Sequence, residues 1–150
     1  MLKIGDQAPA FSLQDDSGEK VQLKDFKGKT IVLYFYPKDM TPGCTQEACD
    51  FKSAHSKFRR KNSVILGVSK DSIEKHTQFR DKYGLPFKLL SDADGKACHA
   101  YGVWQEKSLY GRKFMGIVRS TFVIGPNGKI KQVFSKVKVT QHVDKVLKEI

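Results

Sequence analysis

Hydrophobic and polar positions alternate between two regimes along this chain. "TIVLYFY", Thr30 to Tyr36, is a short β-branched and aromatic run between Gly28 and Pro37, the pattern of a strand buried on both faces. After it the apolar positions Ala48, Phe51, Ala54 and Phe58 step by three and four, which predicts a helix from about Pro42 to Arg60 with one stripe against a sheet. "VILGVS" predicts a second buried strand. "SIEKHTQFRDKYG" predicts a helix that carries Ile73, His76, Phe79, Arg80 and Tyr83, capped by Ser72 and stopped by Gly84.

A short strand near Phe87 to Leu90 and a brief helix in "DADGKACHAYGV" come next. "IVRSTFVIGPNGKIKQVF" predicts a hairpin around its Pro-Asn-Gly turn, and a last helix starts from Thr140. The polar, glycine-punctuated "DSGEKVQLKDFKGK" reads as an N-terminal hairpin rather than a linker. Strands alternating with helices and closing on a hairpin and a helix give an α/β layered fold with a central mixed sheet. At 150 residues the chain has room for one domain, spanning 1–150.

Charge changes this picture little. Lys and Arg total 27 against 16 acids, a formal +11, which raises nucleic acid as a partner. The basic residues scatter, however, with only Arg59, Arg60 and Lys61 clustered and no zinc-finger spacing or RNA-binding signature, so a solvated surface is the reading and no nucleic acid is expected. The N-terminus has no apolar leader and no apolar run approaches 18 residues, so a soluble, unexported, cytoplasmic protein without membrane contact is expected. Three cysteines do not suit the disulfide framework of a small secreted domain.

Candidate chemistry centres on "YPKDMTPGCTQEAC". Thr41 is a good N-cap and Pro42 suits the first helical position, which puts Gly43 and Cys44 in the first turn. Unpaired N–H groups and the positive end of the helix dipole there favour a thiolate over a thiol. Taking a cysteine from about 3% to about 90% thiolate at pH 7 needs roughly 3.4 kcal/mol, and a dipole gives less than about 2, so a fixed cation is needed as well. Cys49 follows five residues on, a spacing that fits neither a Cys-x-x-Cys redox pair nor a structural zinc site. His55 and His76 complete no metal spacing and read as surface or packing residues.

This segment resembles the active site of the peroxiredoxins, whose Pro-x-x-x-Thr-x-x-Cys pattern is met by Pro37, Thr41 and Cys44. Cys49, the opening "GDQAPAFSL", the "YGVW" segment and "RSTFVIGPNGKI" are similar to the bacterioferritin comigratory protein (PrxQ) class, and the likeness runs over nearly the whole chain. It implies a thioredoxin-like fold and a thiol peroxidase for hydrogen peroxide and organic hydroperoxides, recharged by thioredoxin or a similar dithiol, without metal or organic cofactor; a monomer is expected. By that resemblance Cys44 is the peroxidatic nucleophile, Thr41 hydrogen-bonds the thiolate or peroxide, Pro37 shields the site from water and Arg119 is the active-site cation. Glu47 is either a proton-handling group or a solvated first-turn acid.

The resemblance also implies Cys49 as the resolving thiol, joined to Cys44 in an intramolecular disulfide. The alternative resolving position of some members falls near Arg80, and Cys98 reads as a buried structural thiol. Two rival readings remain at this stage: a disulfide oxidoreductase of the same fold without peroxidase activity, and a basic nucleic-acid-binding or chaperone-like module.

Overall fold

The computed structural model describes residues 2–150. Strands β1 (Ser12–Asp15) and β2 (Lys20–Gln22) form the N-terminal hairpin. They are followed by β3 (Thr30–Phe35), α1 (Pro42–Arg60), β4 (Ser63–Ser69), α2 (Ile73–Tyr83), β5 (Lys88–Ser91) and α3 (Lys96–Ala100). Then come β6 (Trp104–Leu109), β7 (Arg112–Ile117), β8 (Ser120–Ile124), β9 (Ile130–Phe134) and α4 (His142–Lys148). The main sheet runs β2-β1-β5-β4-β3-β8-β9. Its β3, β4 and β5 are parallel, as right-handed strand–helix–strand crossovers through α1 and α2 require, and the other neighbours are antiparallel. This is the mixed α/β sheet of the thioredoxin-like fold.

Every residue of β3 is buried, and its two faces feed two cores. Ile31, Leu33 and Phe35 pack with Leu66, Val68, Tyr101 and Phe122 on the α3 side. Val32, Tyr34 and Tyr36 pack with Phe51, Phe58, Phe79 and Val146 on the side of α1, α2 and α4. The predicted stripe of α1 is the stripe that is buried, with Phe51 stacked on Tyr34 at 4.7 Å between ring centroids. Gly67 lies across from Tyr34 in β4, where a Cβ would come within 2.9 Å of the tyrosine ring, so only glycine admits that ring beneath α1. Ser72 caps α2 by accepting from Lys75 N at 3.2 Å, and Gly84 ends it in the left-handed conformation (φ 58°).

The β6–β7 hairpin is a feature that the hydrophobic pattern does not announce. It stands apart as a two-stranded sheet turning on Tyr110 and Gly111, both at positive φ, and Leu109, Tyr110, Phe114 and Met115 are exposed. Of its residues Ile117 at the foot of β7 is buried and the rest are half-buried or exposed, so there is no period-two alternation to read. No helix among the described residues is long and apolar enough to cross a membrane.

Candidate active site

Chain geometry brings the sequence candidates to one end of the sheet. β3 and β8 pair with Phe35 opposite Ser120, so Pro37, just past β3, and Arg119, just before β8, lie at the same edge. Arg119 is not a strand residue. It occupies the break between β7 and β8, where its carbonyl accepts from Val137 N at 3.0 Å and Val118 N bonds Val103 O at 2.8 Å. These bonds fix the backbone from which the guanidinium reaches back across the edge.

Between β3 and α1 the chain turns through Met40, a non-glycine residue at φ 66°, a conformation costing about 1–3 kcal/mol that its surroundings must enforce. Thr41 is at the N-cap with extended backbone and Pro42 at the first helical position, as the sequence predicts. The Thr41 hydroxyl, however, does not cap the helix: it donates to Lys38 O at 2.8 Å. Its hydrogen spent there, the oxygen faces other groups as an acceptor.

Cys44 lies in the first turn of α1 and is 2% exposed. Arg119 Nη2 donates to its Sγ at 3.4 Å, supplying the fixed cation that the helix dipole alone cannot replace. Gly43 makes this approach possible, since a Cβ there would stand 3.2 Å from Nη2. The other arm of the guanidinium, Nη1, donates to Glu47 Oε1 at 2.6 Å. Burial works against the Arg119 charge, but Glu47 and Cys44 together hold its pKa above the ordinary value.

Glu47 is neither solvated nor in the first turn. It is fully buried, and burial pushes its pKa up to about 7 against the opposing charge of Arg119. Its Oε2 and the Tyr34 hydroxyl have no hydrogen-bond partner among the described residues. His142, from α4, has Nε2 4.0 Å from that oxygen and 2.8 Å from Thr121 Oγ1. Burial, then Arg119 and Lys145, lowers the His142 pKa to about 4, so this ring stays neutral beside the guanidinium. Sequence patterning gave no sign of His142 and little of a buried Glu47. One signal was present: Glu47 precedes Ala48 and follows Cys44 by three on the buried side of α1.

Pro37 and Arg119 line an open cleft of about 470 Å³ together with Gln105, Lys107, Val118 and Lys136. Lys107, delivered by the β6–β7 hairpin, donates to Ile117 O at 3.0 Å, and burial followed by the Arg119 charge lowers its pKa. Cys49 is partly buried on α1, and Cys44, Cys49 and Cys98 are all free thiols. Cys98 is 0% exposed in the α3 core, where burial and Asp92 push its thiol pKa up, away from reactivity. Arg80, at the alternative resolving position, pairs with Asp16 at 3.0 Å.

Beyond the expected residues the fold gathers a buried polar chain. Tyr36 OH donates to Asp39 Oδ1 at 2.5 Å, Asp39 Oδ2 lies 2.6 Å from His76 Nδ1, and His76 Nε2 donates to Leu90 O at 3.0 Å. His76 on the stripe with Phe79 is the sequence trace of it, since a histidine on a buried helix face needs partners.

Comparison with known proteins gives the family. The AhpC/TSA family pattern matches residues 4–133. Peroxiredoxin Bcp of Bacillus subtilis (strain 168) is 51% identical over 149 residues, covering 99% of this chain and 95% of that protein. Among solved structures, Xylella fastidiosa PrxQ superposes with a TM-score of 0.94 at 38% identity, covering 99% and 95% of the two chains. The bacterioferritin comigratory protein of Xanthomonas campestris, described for its alkyl peroxide reduction activity, gives 0.90 at 40% identity, with 99% and 94% covered. A helix-start cysteine under an arginine, on this sheet and with these relatives, identifies the chain as a member of the AhpC/TSA family, a peroxiredoxin that reduces peroxides at the expense of thiols.

Proposed function

We propose that Cys44 is the peroxidatic nucleophile and Cys49 the thiol that resolves it, within a single-domain monomer of the cytoplasm. The observation that carries this is the 3.4 Å contact from Arg119 Nη2 to Cys44 Sγ at the first turn of α1. The thiolate sulfur attacks one oxygen of the hydroperoxide, the O–O bond breaks, and the other oxygen leaves as alkoxide or hydroxide and takes up a proton. Donors must follow the charge as it moves from sulfur to the leaving oxygen. Arg119 and the first-turn N–H groups are fixed there before the reaction begins. Thr41 Oγ1, its own hydrogen held by Lys38 O, accepts from the O–H of the incoming peroxide and aligns it. Pro37 covers the mouth.

The product is Cys44 sulfenic acid. The Cys49 thiol displaces its hydroxyl, which leaves as water, and an S–S bond forms. A dithiol of the thioredoxin type then exchanges with that disulfide, becoming a disulfide itself and returning both cysteines as thiols. Glu47 shares the cation that contacts Cys44. With a pKa of about 7 it takes up a proton near neutrality and leaves the guanidinium to the sulfur.

Cys44→Ser tests the assignment. It should consume no hydrogen peroxide with dithiol present, and consumption near the parent's rate would place the nucleophile elsewhere.

A further inference from the structure

The loop that connects β3 to α1 carries Pro37 and Thr41, and its midpoint is held by an unusual set of bonds. The Asp39 side chain is buried, with Tyr36 OH on one oxygen at 2.5 Å and His76 Nδ1 on the other at 2.6 Å. Its backbone N–H donates to Asp71 Oδ2 at 2.8 Å, and the same oxygen accepts from Ser69 Oγ at 2.7 Å. His76 is 0% exposed and anchors the assembly to β5 through Leu90 O at 3.0 Å. Carbonyl oxygen only accepts, so Nε2 carries a hydrogen, and a second hydrogen lies between Nδ1 and Asp39 Oδ2. Each hydrogen and each carboxylate oxygen in this chain therefore has a partner.

Asp39, Asp71 and His76 also bring metal-ligating atoms within 4.8 Å of one another. Those atoms are already engaged by protein hydrogens, which fits a clamp better than a cation site. What the clamp holds is specific. Asp39 is pinned from its side chain and its backbone, and the next residue, Met40, is forced to φ 66°. That turn is what carries Thr41 round so that its hydroxyl meets Lys38 O at 2.8 Å.

We infer that the buried Tyr36–Asp39–His76 chain is a positioning device for the peroxide-activating step: α2 and β5, through it, set the orientation of Thr41 over Cys44. It rests on Cys44 being the peroxidatic thiol. Asp39 and His76 touch neither sulfur nor peroxide. Their effect passes through the Thr41 hydroxyl, while the thiolate itself is supported by Arg119, whose side-chain hydrogen bonds go to Glu47 and Cys44 and to no member of the clamp. Loss of the clamp consequently slows reaction with peroxide and spares reaction of the same thiolate with a reagent that needs no alignment by Thr41.

The test compares two rates on the full chain at one pH: oxidation of Cys44 by hydrogen peroxide and its alkylation by iodoacetamide, both read by mass spectrometry. Asp39→Ala should oxidise at least about tenfold more slowly with alkylation within about twofold of the parent. His76→Phe, which fills the space but bonds neither Asp39 nor Leu90 O, should behave alike and serves if Asp39→Ala does not fold. Asp39→Asn should recover most of the rate, because its amide can accept from Tyr36 OH and donate to a neutral His76 Nδ1. In a Thr41→Ala background the addition of Asp39→Ala should cost less than about threefold more, since the two act through one group. Parental oxidation in the clamp variants, equal loss of oxidation and alkylation, or full additivity with Thr41→Ala would each overturn the inference. Peroxide that leaves Cys44 unmodified in the parent would instead remove the reading on which it rests, before any clamp variant is compared.

Discussion

Arg119 and Glu47 are joined by a 2.6 Å ion pair in which the carboxylate is fully buried, and the guanidinium's other arm is 3.4 Å from the Cys44 sulfur. One guanidinium thus stands between two acids, with Glu47 buried on one side and the open cleft on the other. The sulfur's share of that charge depends on whether Glu47 holds a proton.

Removing the cation should cost both thiolate and transition-state support. Arg119→Ala is expected to slow peroxide reduction by on the order of 10²-fold or more. An unchanged rate would take Arg119 out of the site.

Gly43→Ala separates stability from activity. Alanine is the better helix former by about 0.8–1 kcal/mol in a helix interior, so the fold should lose little or nothing. The added methyl would stand 3.2 Å from Arg119 Nη2 and must displace it by tenths of an ångström. Peroxide oxidation should fall several-fold while the urea midpoint holds or rises, and a parental oxidation rate would show that the guanidinium tolerates the shift.

The two buried groups beside Arg119 give opposite pH dependences. Glu47 is raised from 4.5 to about 7, so its contribution to stability is complete below pH 4.5 and is lost as pH rises through 7. His142 is lowered from 6.5 to about 4, so its contribution is complete above pH 6.5 and is lost as pH falls through 4. Each displacement corresponds to on the order of 3 kcal/mol, and the two slopes offset each other between about pH 4.5 and 6.5. Glu47→Gln should unmask a urea midpoint that rises across this window, and His142→Gln one that falls. A Glu47→Gln profile parallel to the parent's would mean that Glu47 does not titrate there.

The proposed Cys44–Cys49 pairing requires the start of α1 to open. Both cysteines lie on the continuous helix Pro42–Arg60, and Cα atoms five residues apart on a helix are roughly 8.6 Å apart, beyond the usual limit of about 7 Å for a disulfide. Amide hydrogen exchange from Pro42 to Phe51 should rise in the disulfide form and fall again on reduction. Cys49→Ser should retain Cys44 as a sulfenic acid open to further oxidation. Equal protection in both redox forms, or a mapped bond from Cys44 to Cys98, would remove Cys49 from this role.

The sequence by itself determined the elements whose cause is local. A short β-branched and aromatic run between Gly28 and Pro37 reads as a central strand, a three-and-four apolar spacing commits α1 to one face, and Thr-Pro-Gly-Cys starts a helix with a thiol in its first turn. The tertiary structure decided everything that depends on which distant segments meet. Arg119 is 75 residues from Cys44, and only the antiparallel register of β3 and β8 puts it beside the sulfur. Glu47 reads as a surface acid until α4 and β8 close over it, and burial, not its position in the helix, changes its pKa. The β6–β7 hairpin left no pattern because patterning records burial, and of its residues Ile117 alone is buried. Asp39 and His76, 37 residues apart, acquire a role only when α2 is laid against the end of β3, because a buried polar group takes its meaning from the partner the fold supplies.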